Sequence, residues 1–364
     1  MKKILFLCTT DSMIWNFLVE HIKRFEAEGC TVECAASETG FYFKELQQKG
    51  ITMHKIPFER SPYSLHNIKA YKELCKLVSQ TKYDTIFCHE PVGGAFGRIV
   101  GKKYGCEVVY MAHGFHFYRG APRTTTIYYL VEKYLSKKTD LLLTINKEDY
   151  EASQKFFASK TALVNGIGVD TTKFVKRKSD YLRRNFELKN DSLILLSVGE
   201  LIPRKNHLTI IKALKHFENP DVHYFIAGEG ELENQLKNEA DNLGLKDQVH
   251  FLGFCRNVNE LCNSCDIFIL PSVHEGLSLA LMEAMACGKP VIASKIRGNV
   301  DLIEDSKGGL LVETFDESGY YKAIDRLWKS PELMDSTSKV NLDNIRRYDI
   351  SVIKEELVKL LLNK

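Results

Sequence analysis

No run of about 18 uncharged apolar residues occurs in the 364-residue chain, which argues against a membrane-spanning helix. Its opening, Met1-Lys-Lys-Ile-Leu-Phe-Leu-Cys8, has a short apolar run but no cleavage region, and Asp11 follows almost at once. That reads as a first buried strand rather than a signal peptide. A disulfide framework is missing too: ten cysteines are scattered, several (Cys8, Cys88, Cys287) inside strand-like or helix-like stretches. Such usage fits reduced thiols serving as small hydrophobes in a cytosolic protein. Cys262-Asn-Ser-Cys265 has C-x-x-C spacing without a second pair or a histidine group, so it reads as a helix face. The loop after the first strand, Thr9-Thr-Asp-Ser-Met-Ile14, holds no G-x-G-x-x-G, which weakens a nicotinamide or flavin dehydrogenase reading. Basic residues form no single stripe with stacking aromatics, so no nucleic-acid partner is expected.

What is present is ordinary for a globular chain, 44% hydrophobic and 27% charged, and long enough for two cores. The net charge of +3 conceals an asymmetry: residues 1–180 hold 27 Lys and Arg against 19 Asp and Glu, a balance of +8, while the remainder holds 23 against 28, or −5. A basic first half suits an anionic membrane surface or a polyanionic acceptor, and scattered solvated lysines explain it equally well. Strand-like runs at Ile4–Cys8, Thr31–Ala36, Ile51–Phe58, Thr85–His89, Val108–His113, Leu141–Ile145 and Ala162–Asn165 alternate with helical segments, one of them near 41–49. A second alternating series starts at Leu193 after a break around Asn165-Gly-Ile-Gly-Val-Asp170. Both series predict βαβ units and parallel sheets, with ligands beyond the carboxyl ends of the strands.

The richest stretch is Pro271-Ser-Val-His-Glu-Gly-Leu-Ser-Leu-Ala-Leu-Met-Glu-Ala-Met-Ala-Cys-Gly-Lys-Pro290, between the apolar runs Ile267–Leu270 and Val291–Ser294. It predicts strand, loop, helix, strand, with the helix opening after Gly276 and the carboxylates Glu275 and Glu283 bracketing its first two turns. At 1.5 Å rise per residue they stand roughly 12 Å apart, about the span from a ribose to a sugar across a diphosphate, with the helix N-terminus offered to an anion between them. Earlier, Arg204 and Lys205 at a helix start form a candidate diphosphate clamp, although alone a solvated turn would look the same. Gly253-Phe-Cys-Arg256 is a candidate seat for a flat base. His89-Glu-Pro-Val-Gly-Gly94 places Gly93 and Gly94 for close approach of a ligand or of neighbouring backbone. Met111-Ala-His-Gly-Phe-His-Phe-Tyr-Arg-Gly120 gathers His113, His116, aromatic rings and Arg119 past a strand end, a pattern that suits a sugar.

These motifs resemble the family 4 retaining glycosyltransferases of GT-B fold over nearly the whole chain. Glu275-Gly-Leu-Ser-Leu-Ala-Leu-Met-Glu283 matches the family's E-x7-E motif, with Gly288 and Pro290 trailing it. Ser197-Val-Gly199 with Lys205-Asn206, Val249–Gly253, and Asn165-Gly with Val169-Asp170 support the match. The first-half segments around His89 and His113 look like the branch that builds bacterial capsular and exopolysaccharide repeat units. The resemblance implies an α/β GT-B fold: two Rossmann-like domains facing across a cleft, 1–168 for the acceptor and 169–345 for the nucleotide sugar. Residues 346–364 would form a C-terminal helix returning to the first domain.

The same resemblance implies that Lys205, with Arg204 beside it, stabilises the diphosphate, that Glu283 holds the ribose and that Glu275 holds the donor sugar. Gly276, Leu277 and Ser278 would meet sugar or phosphate through their backbone, with Gly199 and Gly253 also on the donor side. His113 would reach the sugar from the first domain, and His89, His116 and Arg119 are acceptor-side candidates. The implied reaction moves a hexose or N-acetylhexosamine from a UDP-sugar to a polyprenyl-diphosphate-linked acceptor at the inner membrane face, with no metal and no cofactor. The enzyme would be cytoplasmic and peripheral to the membrane, and the leaving phosphate would help to deprotonate the acceptor. A UDP-sugar 2-epimerase and a catalytically silent nucleotide-sugar-binding partner are the competing readings. Two departures stand out: Asp11-Ser12-Met13 replaces a common Gly-Gly pair, and Glu200 stands where many members have arginine.

Overall fold

The computed structural model describes residues 1–40 and 42–362. Phe41, expected to begin a helix, and Asn363 and Lys364, expected to end the last one, lie outside the described residues. The chain divides into two compact units, one of residues 1–167 with 350–364 and the other of residues 168–349.

Unit 1 is built on seven parallel strands in the order β3-β2-β1-β4-β5-β6-β7. They are β1 (Lys3–Thr10), β2 (Thr31–Ser37), β3 (Thr52–Lys55), β4 (Thr85–His89), β5 (Glu107–Ala112), β6 (Leu141–Thr144) and β7 (Lys160–Leu163). The central strands are continuous apolar runs, as a sheet covered on both faces requires. The Pro91–Lys103 helix lies unusually close to this sheet. A Cβ on Gly94 would sit 2.4 Å from the Tyr110 ring, and one on Gly97 would sit 2.6 Å from Cys88 Cβ. One on Gly93 would press the backbone of Cys8 and Thr9. The glycines of this segment therefore serve helix-to-sheet packing. The Ile350–Leu362 helix completes the unit, burying Ile353, Leu357, Val358 and Leu361 and pairing Glu355 with Arg24 at 2.6 Å.

Unit 2 holds six parallel strands in the order β10-β9-β8-β11-β12-β13. They are β8 (Leu193–Val198), β9 (Val222–Ala227), β10 (Val249–Gly253), β11 (Ile267–Leu270), β12 (Val291–Ser294) and β13 (Leu310–Val312). One apolar cluster covers each face of this sheet, and Cys262, Cys265 and Cys287 belong to one of them as free buried thiols. The turn at Ile345–Tyr348 stays with unit 2, where the Tyr348 hydroxyl donates to Asp301 O at 2.9 Å. The return to unit 1 therefore begins at Ile350.

In each unit the strand order reverses once, between β1 and β4 and between β8 and β11. The loops leaving the carboxyl ends of those strands flank the crevice where open parallel sheets bind ligands.

Candidate functional site

In unit 2 the loop after β8 runs Gly199 to Asn206, and the loop after β11 runs Pro271 to Ser278. Val273 N–H donates to Arg204 O at 2.8 Å, and Asn206 Nδ2 donates to Pro271 O at 3.1 Å, so the two loops are stitched together. Asn206 takes a left-handed conformation, φ 54°, which lets the chain turn directly into the His207–Leu214 helix. This turn brings Lys205 and Arg204 onto Glu275. Lys205 Nζ lies 2.7 Å from Glu275 Oε1 and Arg204 Nη1 lies 3.1 Å from Oε2. Arg204 also donates to His274 O at 3.2 Å.

Glu275 is buried, 8% exposed, so its charge depends on these partners. Burial raises its pKa, but Lys205 and Arg204 outweigh that and hold the carboxyl below its ordinary value. The three groups together carry one net positive charge, placed at the strand-order reversal. Lys205 reaches Glu275 by lying along Gly199, whose absent side chain leaves room: a Cβ there would stand 3.0 Å from Lys205 Cε.

Further glycines let the neighbouring loops close on this one. A Cβ on Gly298 (φ 81°) would lie 2.3 Å from Gly276 O, and one on Gly228 would lie 2.0 Å from Gly199 O. Gly228 N–H in turn donates to Gly253 O at 2.8 Å, tying the end of β10 into the same layer. Gly253 itself has φ 64° and is followed by Phe254, which is exposed.

The helix of this stretch is Leu279–Ala286, with the Ser278 hydroxyl accepting from Leu281 N–H at 3.4 Å as its cap. It therefore opens two residues later than the expected start after Gly276. Glu275 lies in the loop, and the estimate of roughly 12 Å from a continuous helical rise does not apply to the pair. Gly276 and Leu277 remain partly exposed before the capped turn. Glu283, partly exposed on the helix, has its pKa pushed up to about 7 by burial, with Lys173 opposing the shift.

Arg297 escaped notice in the sequence. It is buried after β12, donates from Nε to Glu275 O at 3.2 Å and meets His274 Nε2 at 2.6 Å. Its only sequence signal is an arginine beside Gly298 at a strand end. Glu200, the departure noted above, is exposed, and Arg204 supplies a second cation beside Glu275.

In unit 1 a carboxylate of the protein caps the end of β1. Glu90, the residue after β4, adopts φ 59° and its Oε2 accepts from Thr9 N–H at 2.8 Å and Thr10 N–H at 3.2 Å. Asp11 is also fully buried and engaged, with both carboxylate oxygens bonded to Thr39. The sequence gives no hint of Glu90's part, since left-handed glutamate is uncommon and unsignalled.

His89 is completely buried. Its Nδ1 pairs with His113 Nε2 at 3.0 Å, its Nε2 has no hydrogen-bond partner, and its ring packs on Phe87 and Phe6. Placed there it supports His113 and is not open to an acceptor. Burial, with His21 adding to it, brings the His113 pKa down to about 4, so His113 is a neutral ring at ordinary pH. His116 is exposed beside Tyr128, and Arg119 is exposed and paired with Glu151 at 3.2 Å. Arg119 also borders a cavity of about 630 Å³ past β5, with Phe117, Arg123, Tyr129, Glu148 and Lys155.

Among the described residues no group of three or more His, Cys, Asp or Glu side chains could hold a metal ion. No described helix is long and apolar enough to cross a membrane.

Residues 179–341 match the family model described as glycosyl transferases group 1, and residues 3–146 match the one described as glycosyl transferase 4-like. EpsD of Bacillus subtilis, assigned to the glycosyltransferases, is 33% identical over 98% of this chain and 95% of its own. The UDP-Gal:alpha-D-GlcNAc-diphosphoundecaprenol alpha-1,3-galactosyltransferase of Escherichia coli is 31% identical over 82% of this chain and 81% of its own. Among solved structures, Anabaena Alr3699/HepE with UDP and glucose superposes with a TM-score of 0.85 at 20% identity, covering 100% of both chains, a likeness of fold.

Proposed function

Since the chain belongs to the group 1, family 4-like glycosyltransferases of GT-B fold, we propose that it moves a hexose or N-acetylhexosamine from a UDP-sugar to a polyprenyl-diphosphate-linked saccharide in surface-polysaccharide assembly. The observation that carries this reading is the Lys205–Glu275–Arg204 cluster at the β8/β11 reversal. Departure of UDP places growing negative charge on the β-phosphate. A pre-oriented ammonium and guanidinium stabilise that charge without reorganising at the moment of reaction. Glu275 holds both cations in place and, from its loop, presents the adjoining Gly276 and Leu277 backbone to sugar or phosphate. Glu283, on the helix that follows, accepts from the ribose hydroxyls.

The identity of the donor and acceptor classes draws on the relative from Escherichia coli, whose name specifies both. Unit 2 would hold the donor and unit 1 the acceptor, with His113 as a neutral hydrogen-bonding group toward the sugar. No side chain in the unit 2 cluster is a free nucleophile. A retaining course in which the departing phosphate takes the acceptor proton on the same face fits that set. With the cationic charge supplied by side chains, turnover should persist in EDTA. Retention of the anomeric configuration is read by NMR of the product.

The direct test is transfer of radiolabel from UDP-sugars to a lipid-extractable acceptor. Label in the lipid phase is the expected result. Absence of transfer from every common UDP-sugar, with the protein folded and binding UDP, would overturn the reading.

A further inference from the structure

The Thr126–Leu135 helix is not made for water. Seven of its ten residues are Ile, Tyr, Leu or Val, yet Leu135 alone is buried. Ile127 (51% exposed), Leu130 (55%), Val131 (44%) and Tyr134 (60%) are open to solvent. At 100° per residue those four fall within an arc of about 100°, a continuous outward stripe. Ordinary packing would turn such a stripe inward, and an exposed one of this size marks a binding surface.

Its neighbours extend it. The Tyr128 hydroxyl interacts with Tyr63, and Tyr63, Leu65 and Ile68 are themselves exposed. At the other end Phe157 is exposed, with the ammoniums of Lys133 and Lys137 standing 5.4 Å and 5.0 Å from its ring.

Along the segment that carries the stripe the charges are mostly of one sign, with Arg119 at its start paired to Glu151. Between Arg119 and Lys138 lie five cations and one carboxylate, Glu132, and that carboxylate turns inward to the buried Arg98 at 2.7 Å. Aliphatic and aromatic side chains ringed by lysine and arginine match the boundary of an anionic bilayer. There apolar groups enter the acyl region, tyrosines sit at the headgroups and cations meet lipid phosphate. The same helix also borders the 630 Å³ cavity, through Thr126 and Tyr129.

We propose that the outward face of the Thr126–Leu135 helix, together with Tyr63, Leu65 and Ile68, is the surface by which this protein docks on an anionic lipid bilayer. The docking sets the cavity beside Arg119 and Arg123 at headgroup depth, where the diphosphate of a membrane-held acceptor would stand. That last step rests on the acceptor reading proposed above. The docking itself does not, and it is measured with neither donor nor acceptor present.

The test is flotation of the full chain with vesicles containing phosphatidylglycerol, against vesicles of phosphatidylcholine alone. Wild-type protein should float with the anionic vesicles and lose most of that binding on the neutral ones. The triple variant Ile127→Ser, Leu130→Ser, Tyr134→Ser should bind roughly tenfold more weakly or worse, with its UDP-induced thermal shift unchanged. A second variant, Lys137→Glu with Lys138→Glu, adds no apolar loss and should weaken binding to the anionic vesicles alone.

Three outcomes would overturn the proposal: wild-type protein that ignores anionic vesicles, variants that bind as well as wild type, or sedimentation showing a dimer that the triple variant dissolves. The last would assign the face to a second copy of this chain. Intact docking with no sugar transfer would sink the transferase reading and leave this one standing.

Discussion

The Lys205 ammonium reaches the Glu275 carboxylate at 2.7 Å across a sequence separation of 70 residues, with the Gly199 backbone beneath its stem. Neither charge is well hydrated, since the Lys205 side chain is 11% exposed and that of Glu275 is 9% exposed.

Removing one partner leaves the other charged in a dry place. Lys205→Met should lower the unfolding free energy by about 3 kcal/mol, the lower end of the range for a broken buried pair, because Arg204 remains at 3.1 Å. If Lys205 also meets the leaving diphosphate, turnover should drop by roughly 100-fold or more at temperatures where the variant is fully folded. Urea melts and initial rates measured together separate the two effects. A stable variant with full turnover would remove Lys205 from the proposed chemistry.

Two glycines next to the pair should behave differently when each becomes alanine. Gly298→Ala needs both a left-handed alanine and a Cβ 2.3 Å from the backbone oxygen of Gly276, and neither can yield cheaply. A stability loss of about 2 kcal/mol or more is expected, read by thermal unfolding. Gly199→Ala meets the flexible Lys205 stem at 3.0 Å, so the side chain can move aside. A few tenths of an ångström suffice and leave the ion pair with Glu275 in place, so its melting temperature should fall less than that of Gly298→Ala, while its catalytic rate falls because the ammonium is displaced from its set position.

The raised pKa of Glu283 makes stability depend on pH and, on the proposed role at the ribose, donor binding as well. Its pKa of about 7 in the folded protein stands above the unfolded carboxyl value of about 4.3. Between those values the folded state holds a proton that the unfolded state has released, so this contribution to stability is present at low pH and is lost as pH rises through about 7. Glu283→Gln should therefore raise stability near pH 8, by up to about 3 kcal/mol, and change it little near pH 4. With the carboxylate acting on the ribose, UDP binding by wild type should tighten from about pH 6 to about pH 8. The glutamine variant should show a flat profile by calorimetry.

Buried neutral histidines give acid sensitivity of the opposite sign. Burial lowers His21 and His207 to about 4, and each ring has one nitrogen without a hydrogen-bond partner. The unfolded chain takes up protons below about pH 6.5 that these folded rings refuse. Stability should accordingly be full above that pH and decline steadily as pH falls toward about 4. His207→Phe, which loses the 3.0 Å contact to the Tyr224 hydroxyl, should cost stability at neutral pH but flatten the decline for unit 2 in denaturant melts from pH 7 to 4.5.

The parallel strands were readable because a sheet covered on both faces needs unbroken apolar runs. β4, β10, β11 and β12 lie where those runs do. The E-x7-E stretch was equally visible, but its geometry was not. Ser278 competes for the first helical amides and moves the helix start past Glu275, which frees that carboxylate for a pairing set by loops far apart in sequence. Glu90 and Arg297 stayed hidden for a related reason: each acts on backbone groups of another loop, and no local period reports such contacts. The Thr126–Leu135 helix shows the converse. Apolar residues at helical spacing look like core in any sequence, and only the fold reveals that this face points outward.

The Ile350–Leu362 helix gives the molecule an inverted order of completion on the ribosome. Unit 2 ends at Asp349, so all of its residues have been translated while unit 1, begun first, still lacks the segment that pairs with Arg24 and Lys2. A nascent unit 1 must wait with an apolar face uncovered until its partner unit is complete, which makes that interval the stage at which chaperone binding is most useful to this chain.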